Sequence, residues 1–248
     1  MKSYIQISIR TKIDTSEVTL GERLIGSLLE CGDYLAPEQV SHNADRITEP
    51  FSVAAQDAFQ EMWASVASLR ANGSLFDFYQ DFAWRRKRAV KSSGTVSHTL
   101  INARGQLVPG NISFRAQWSR RVDWYSLFKS WCGIFPPQLA MLHLFDGPEL
   151  SPERKNNSFQ IGSFNSALHP DIPGIAWAMF YGNEFADEVD LRSLVNAGFQ
   201  VDGMGGGHLV RVTEDIGDVS RNFGAFFARR AQLRKLFREG FFLENASV

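Results

Sequence analysis

The 248-residue chain is 44% hydrophobic and 21% charged, an ordinary globular composition that suits one large or two small domains. Its 26 basic and 27 acidic residues leave a formal charge of -1, so no bulk charge points toward nucleic acid or a membrane surface. MKSYIQISIR lacks the apolar core of a signal peptide, and no apolar run approaches the roughly 18 residues of a membrane span, so a cytoplasmic protein is expected.

Tyr4 to Ile9 alternates Ile5, Ile7 and Ile9 against Tyr4, Gln6 and Ser8, which predicts a half-buried strand. Thr19 and Glu22 have capping-box spacing ahead of Leu20, Leu24, Ile25, Leu28 and Leu29, with Gly32 as a stop. Cys31 at the end of that helix lies far from Cys132, and their spacing suits neither a metal site nor a disulfide framework, so both read as reduced thiols. Asp33 to Pro50 shows no periodicity and reads as a surface connection. Val53 to Leu69 returns to helical spacing, with Phe59, Met62, Trp63 and Val66 on one face and Asn72 and Gly73 ending it.

The aromatic run Phe76 to Trp84 leads into Arg85, Arg86, Lys87 and Arg88. A strand there would part Phe82, Trp84, Arg86 and Arg88 from Ala83, Arg85 and Lys87. Ser92, Ser93 and Gly94 would turn the chain into a strand over Val96 to Asn102, and Gly105 would turn it again before Asn111 to Trp118, giving an antiparallel meander. Asp123 is placed to cap a helix from Trp124 to Cys132, in which Trp124, Leu127, Phe128 and Trp131 share a face. Pro136 and Pro137 break it, Leu139 to Phe145 reads as a strand, and the polar stretch Pro148 to Asn157 could divide two packed halves of a single domain.

The last third reads strand, helix, strand, helix. Ile175 to Tyr181 is apolar and aromatic, and a short helix over Leu191 to Val195 follows Glu184, Asp187, Glu188 and Asp190. Gly203, Gly205, Gly206 and Gly207 make a turn into a strand over His208 to Thr213. Asp218 then caps a helix running to about Arg238, with Val219, Phe223, Phe226, Phe227, Arg230 and Leu233 on one face. On that reading Phe227 is a core residue whose replacement by aspartate would unfold the domain. The fold class expected is α+β, a mainly antiparallel sheet packed against several helices.

Catalytic signatures are absent from the chain. Gly203, Gly205 and His208 miss the third glycine of a dinucleotide fingerprint and lead into a strand, and no GxxxxGK[ST], HExxH or GxSxG occurs. The five histidines are scattered. A non-local site for a hydrolase or nucleic-acid-processing enzyme would draw on His143, His169 or His208 with Asp146, Asp171 or Asp215, since acid–base chemistry needs a proton carrier beside an orienting carboxylate. No cofactor or metal site is expected. Arg85 to Arg88 and Arg229 to Arg238 could contact phosphate, but strand geometry splits the first between two faces, and both read better as solvated faces. The acids Glu184, Asp187, Glu188 and Asp190, with Glu214, Asp215 and Asp218, are the candidate partner-binding residues, because a negative patch could cover a basic cleft on another protein if the turns that hold them meet.

IAWAMFYGNEFADEVD from Ile175, GGGHLVRVTEDIGDV, and a helix carrying Phe226, Phe227, Arg229 and Arg230 follow in that order. FAWRRKR at Phe82, VDWYSLFKSW at Val122 and MLHLF at Met141 precede them. This order resembles bacterial immunity proteins of polymorphic toxin systems, the immunity protein 52 family in particular, over roughly Phe76 to Arg238. The resemblance implies a cytoplasmic, non-enzymatic α+β protein that binds and neutralises a cognate toxin by stoichiometric inhibition. It also implies that the toxin is a DNase-type nuclease effector of a type VI or related secretion system, with no direct contact to nucleic acid or membrane.

Overall fold

A computed structural model describes residues 2–51, 56–71, 74–102, 104–150, 174–239 and 241–242. The chain divides into two compact units, Ile9–Pro136 and Met1–Ser8 with Pro137–Val248. The first unit runs β1 (Tyr4–Thr11, shared with the second), α1 (Val18–Glu30), β2 (Gln39–Ser41), β3 (Glu49–Pro50), α2 (Gln56–Met62), β4 (Val66–Ala71), β5 (Ser74–Tyr79), β6 (Phe82–Arg86), β7 (Ser92–Ser97), β8 (Leu100–Ile101), β9 (Leu107–Val108), β10 (Gly110–Gln117) and α3 (Trp124–Ile134). The second continues with β11 (Pro137–Phe145), β12 (Ala178–Gly182), α4 (Leu191–Asn196), β13 (Gln200–Met204), β14 (Gly207–Arg211), α5 (Asp218–Arg221) and α6 (Phe223–Arg234). Ten strands form one sheet in the order β13-β14-β12-β11-β1-β10-β7-β6-β2-β3, while β4–β5 and β8–β9 are separate hairpins. The fold is α+β, as the element pattern predicts.

Ile5, Ile7 and Ile9 have no exposed surface, as their alternation demands. α1 buries Leu20, Leu24, Ile25 and Leu28, and Gly32 ends it at φ +67°. The Thr19–Glu22 capping box does not form. The N-cap is Glu17, without a side-chain cap, because the helix starts ahead of Thr19; just before it, Asp14 accepts the Ser16 N–H and hydroxyl at 2.9 and 2.7 Å. The stretch read as a surface connection contains β2 and β3. Gln39 Oε1 accepts from Arg85 at 2.8 Å, and β2 lies antiparallel to β6.

The helix expected over Val53 to Leu69 is shorter. Ala64 takes φ +52°, so the chain leaves the helix and Val66–Ala71 becomes the first strand of the β4–β5 hairpin. Phe59 and Trp63 are buried against Phe82, whereas Val66, expected on the same apolar face, is 59% exposed. Residues 52–55, Asn72 and Gly73 lie outside the described residues. The expected turn at Ser92–Gly94 is also displaced. These residues belong to β7, and the reversal lies before it, where Ala89 takes φ +52°. Gly94 serves packing: it faces Trp84 across the β6–β7 pair, and a Cβ on it would come within 2.2 Å of the indole. That ring belongs to a column of Phe82, Trp84, Phe114 and Trp131, with Phe114 and Trp131 centroids 5.2 Å apart edge-to-face. Trp131 Nε1 donates to Ser27 Oγ at 2.7 Å, which fastens α3 to α1. Asp123 caps α3 as its position predicts, accepting the Ser126 N–H at 3.0 Å.

In the second unit every residue of β11 and β12 is buried. Both faces are covered, which is why these strands read as continuous apolar runs. Asp218 is the first residue of α5 and not a cap, and Asn222 separates α5 from α6, so the long helix expected to Arg238 is two. Within α6 the buried residues are Phe226 and Leu233, and Phe227 falls outside that stripe. Phe226 has no exposed surface, while Phe227 is 44% exposed.

Two substitutions test these placements by denaturant unfolding. Gly94→Ala is expected to cost about 1–3 kcal/mol by forcing the Trp84 ring aside. Phe226→Asp is expected to unfold the second unit by placing a carboxylate in its core, whereas Phe227→Asp changes stability by about 1 kcal/mol or less.

Candidate functional site

The acidic residues singled out by sequence fall at two places in the second unit. Glu184, Asp187 and Glu188 lie in a 3-10 segment, Asn183–Glu188, directly after β12, and Asp190 follows as the cap of α4. Glu214, Asp215 and Asp218 lie beyond the end of β14. β12 and β14 are antiparallel, pairing Gly182 with Gly207 and Ala178 with Arg211. The first group therefore leaves the strand pair at one end and the second leaves it at the other, about 15 Å away along the strands. The turns do not meet to make one patch.

Within each group most carboxylates have local partners. Glu184 Oε2 accepts from Gln138 Nε2 at 2.7 Å. Both Glu188 oxygens lie 2.8 Å from Arg238 Nε. Asp190 accepts the Arg192 and Ser193 N–H groups at 3.0 and 3.2 Å and the Ser193 hydroxyl at 2.6 Å; the Ser193 hydrogen bonds hold its carboxyl below the usual range. Asp215 accepts the Gly217 N–H and pairs with Arg221, whose guanidinium is 3.9 Å from Asp218. Asp187 and Glu214 are exposed.

A second constellation was not visible in the sequence. Glu149 sits in a 3-10 turn after β11 with no exposed surface, and its Oε1 lies 2.8 Å from Arg230 Nη1 on α6 and 3.9 Å from His143 Nε2 on β11. The Trp177 N–H donates to His143 Nδ1 at 3.0 Å, so the neutral ring carries its proton on Nε2, the side toward Glu149. Burial, and then the Arg230 charge, push His143 well below its ordinary value. Nearby, Asp146 accepts the hydroxyls of Ser3 and Ser220 and the Gly147 N–H. Its partial burial raises the carboxyl, and those hydrogen bonds outweigh it and bring it below the usual value. The sequence places Glu149 in a polar loop, and nothing local marks it, because its burial depends on Arg230 far along the chain.

The non-local enzyme constellation does not assemble among the described residues. His143 is sealed in the core, and Asp146 is occupied by serine hydroxyls. His208 pairs across from Gly203 and Tyr181, at the opposite end of β14 from Asp215. His169 and Asp171 lie outside the described residues. The glycine segment joins β13 to β14, with Gly206 at φ +93°, and opens no helix onto a phosphate. The arginines of α6 and the turn after it are seated on rings: Arg229 over Phe199 at 3.7 Å, Arg230 over Phe226 at 5.0 Å, Arg234 over Phe242 at 5.5 Å and Arg238 over Phe241 at 5.6 Å. That placement favours the reading of this basic run as part of the fold over a phosphate track.

No family model matches the chain, and no curated protein matches it by sequence. Among solved structures it is similar to a Pseudomonas aeruginosa T6SS protein, PA0821, with a TM-score of 0.57, 12% identity, and 98% of this chain and 77% of that one covered. At that identity the likeness is one of fold. A Trypanosoma brucei AdoMetDC-delta26 monomer aligns over 84% of this chain and 63% of that one at a TM-score of 0.28 and 6% identity, a score from which no shared fold follows. Among the described residues no helix is long and apolar enough to cross a membrane.

The buried histidine sets a pH dependence with a definite sign. The fold holds His143 neutral below the pH at which the unfolded chain protonates it, so its contribution is complete above about 6.5 and is lost as pH falls below that. Burial also lowers His98, against the raising effect of the Thr15 carbonyl. Unfolding free energy is expected to decline below neutrality by up to about 1.4 kcal/mol per pH unit for each of these histidines. His143→Asn is expected to remove part of that slope when unfolding is followed from about pH 5 to pH 7.5.

Proposed function

We propose that the chain is an immunity protein of a type VI secretion system, which binds a cognate nuclease effector in the cytoplasm and neutralises it as a stoichiometric inhibitor. The observation that carries the reading is the fold shared with a T6SS protein across 98% of this chain. The ordered motifs from Phe82 to Arg230 resemble the immunity protein 52 family, although no family model matches the chain. Inhibition of this kind needs no active site. It needs a complementary surface, typically about 1,600 Å² in total, with a few anchoring side chains inside a polar rim.

One acidic group is taken as the contact edge. Since the two acid-bearing ends lie apart, the segment Asn183–Glu188 is the acidic edge of choice, with exposed Asp187 between Glu184 and Glu188. Carboxylates there would steer a basic nuclease cleft toward the chain and accelerate encounter more than they tighten the complex.

Mixing the purified chain with the toxin encoded beside it is expected to give a stable complex in gel filtration and to abolish nuclease activity at equimolar ratio. A chain that neither binds nor inhibits would overturn the reading. Lysines at Glu184, Asp187 and Glu188 are expected to slow association at least tenfold at low salt. They should lower the unfolding midpoint modestly and leave the chain folded, because the Glu188–Arg238 pair is partly exposed and contributes about 1 kcal/mol or less, while Glu184 also gives up its hydrogen bond from Gln138. Normal association by that variant would exclude the acidic edge while leaving inhibition standing.

A further inference from the structure

Eight of the eleven large hydrophobic side chains that stand exposed among the described residues lie on the β4–β5 and β8–β9 hairpins, so exposed apolar surface is concentrated there. Val66, Leu69, Leu75, Phe78 and Tyr79, between 37% and 63% exposed, belong to β4–β5. A two-stranded hairpin is marginal in water, and its outer edges present open rows of backbone donors and acceptors. Among the described residues β4 and β5 pair only with each other.

The register identifies the open groups. Gln80 N donates to Ser65 O at 2.8 Å, so these two residues face each other across the hairpin. Antiparallel alternation then turns the backbone groups of Ala67 and Leu69 toward β5 and leaves those of Val66, Ser68 and Arg70 pointing outward. We infer that β4 pairs with β4 of a second copy of the chain about a two-fold axis at Leu69, extending two hairpins into a four-stranded sheet. In that register the outward groups of Ser68 meet those of Arg70 of the second copy, and the reverse, while Leu69 meets Leu69 across the axis.

The charges agree with this pairing. Ser68 stands opposite Asp77 within the hairpin and donates its hydroxyl to the Asp77 carboxylate. The pairing adds Arg70 of the second copy on the other side of Ser68, on the same face, so acid, hydroxyl and guanidinium form one row, repeated by symmetry. The open groups of β5 belong to Leu75, Asp77 and Tyr79, and self-pairing there would set Asp77 directly opposite another Asp77, a leucine or a tyrosine. An edge-to-edge contact of this size belongs to the small class of interfaces, so the dimer is a weak one that dissociates in the micromolar range. The inference stands independently of the toxin reading.

Sedimentation velocity of the full chain across the micromolar range is the test, with thermal unfolding as the check that each variant is folded. The wild type is expected to shift from monomer to dimer with concentration. Ser68→Pro removes an outward N–H and spares the β4–β5 ladder, and is expected to remain monomeric. Arg70→Asp and Asp77→Arg are each expected to weaken the dimer at least tenfold, and an equimolar mixture of the two to restore it, since a mixed pair regains both unlike-charge contacts. A wild type that stays monomeric, a dimer that survives Ser68→Pro, or a mixture no tighter than its components would each overturn the inference.

Discussion

A carboxylate with no exposed surface can remain charged inside a protein only where a cation is carried in to meet it. Glu149 is such a carboxylate, and Arg230 is the cation. Removing one member of a buried pair costs on the order of 3–5 kcal/mol, because the other is left charged and unsolvated. The second unit is therefore constrained as a set: the turn after β11 has to present Glu149, α6 has to present Arg230, and His143 has to stay neutral beside both. Arg230 also lies over Phe226, the buried ring of α6, so ion pair and apolar packing position the same helix.

The first unit solves the problem differently. Its core is aromatic, and three of its polar contacts tie separate parts of the chain together. Trp131 reaches Ser27, Trp63 Nε1 donates to the Thr15 carbonyl at 3.2 Å, and Thr11 donates to the Pro136 carbonyl at 2.7 Å. Large rings leave little room for adjustment in such a core. Two glycines mark where backbone passes against indole: Gly94 under Trp84, and Gly21 of α1, where a Cβ would come within 2.5 Å of Trp63.

What was legible in the sequence follows from where the decisive interactions lie. β11 and β12 declare themselves because burial on both faces makes most of their positions apolar, and α3 because its cap and its apolar face are local. β2 is three residues long and exists through its pairing with β6, which no local pattern encodes. Val66 and Leu69 continue a helical spacing into a hairpin, so periodicity favours the wrong element until the positive φ at Ala64 is seen. Phe226 and Phe227 are consecutive in α6, and which of them is buried depends on what packs against the helix, which no local pattern states. The acidic residues were legible as surface, but their separation depends on strand direction, and Glu149 was hidden in a loop because its partner comes from α6.

The division of the chain also carries a consequence for its synthesis. Residues 1–8 belong with 137–248, whereas 9–136 form a unit of their own. On a ribosome the segment 9–136 is finished first and can collapse around its tryptophans while the rest is still being made. Ser3, whose hydroxyl ends on Asp146, then waits for more than a hundred residues, on the order of ten seconds of translation, before its partner appears. Closing so long a loop costs entropy, and β11, which lies beside β1 in the sheet, is the first element of the later segment to repay it, so the two ends of the unit meet at the β1–β11 pair before β12, β14 and α6 are made.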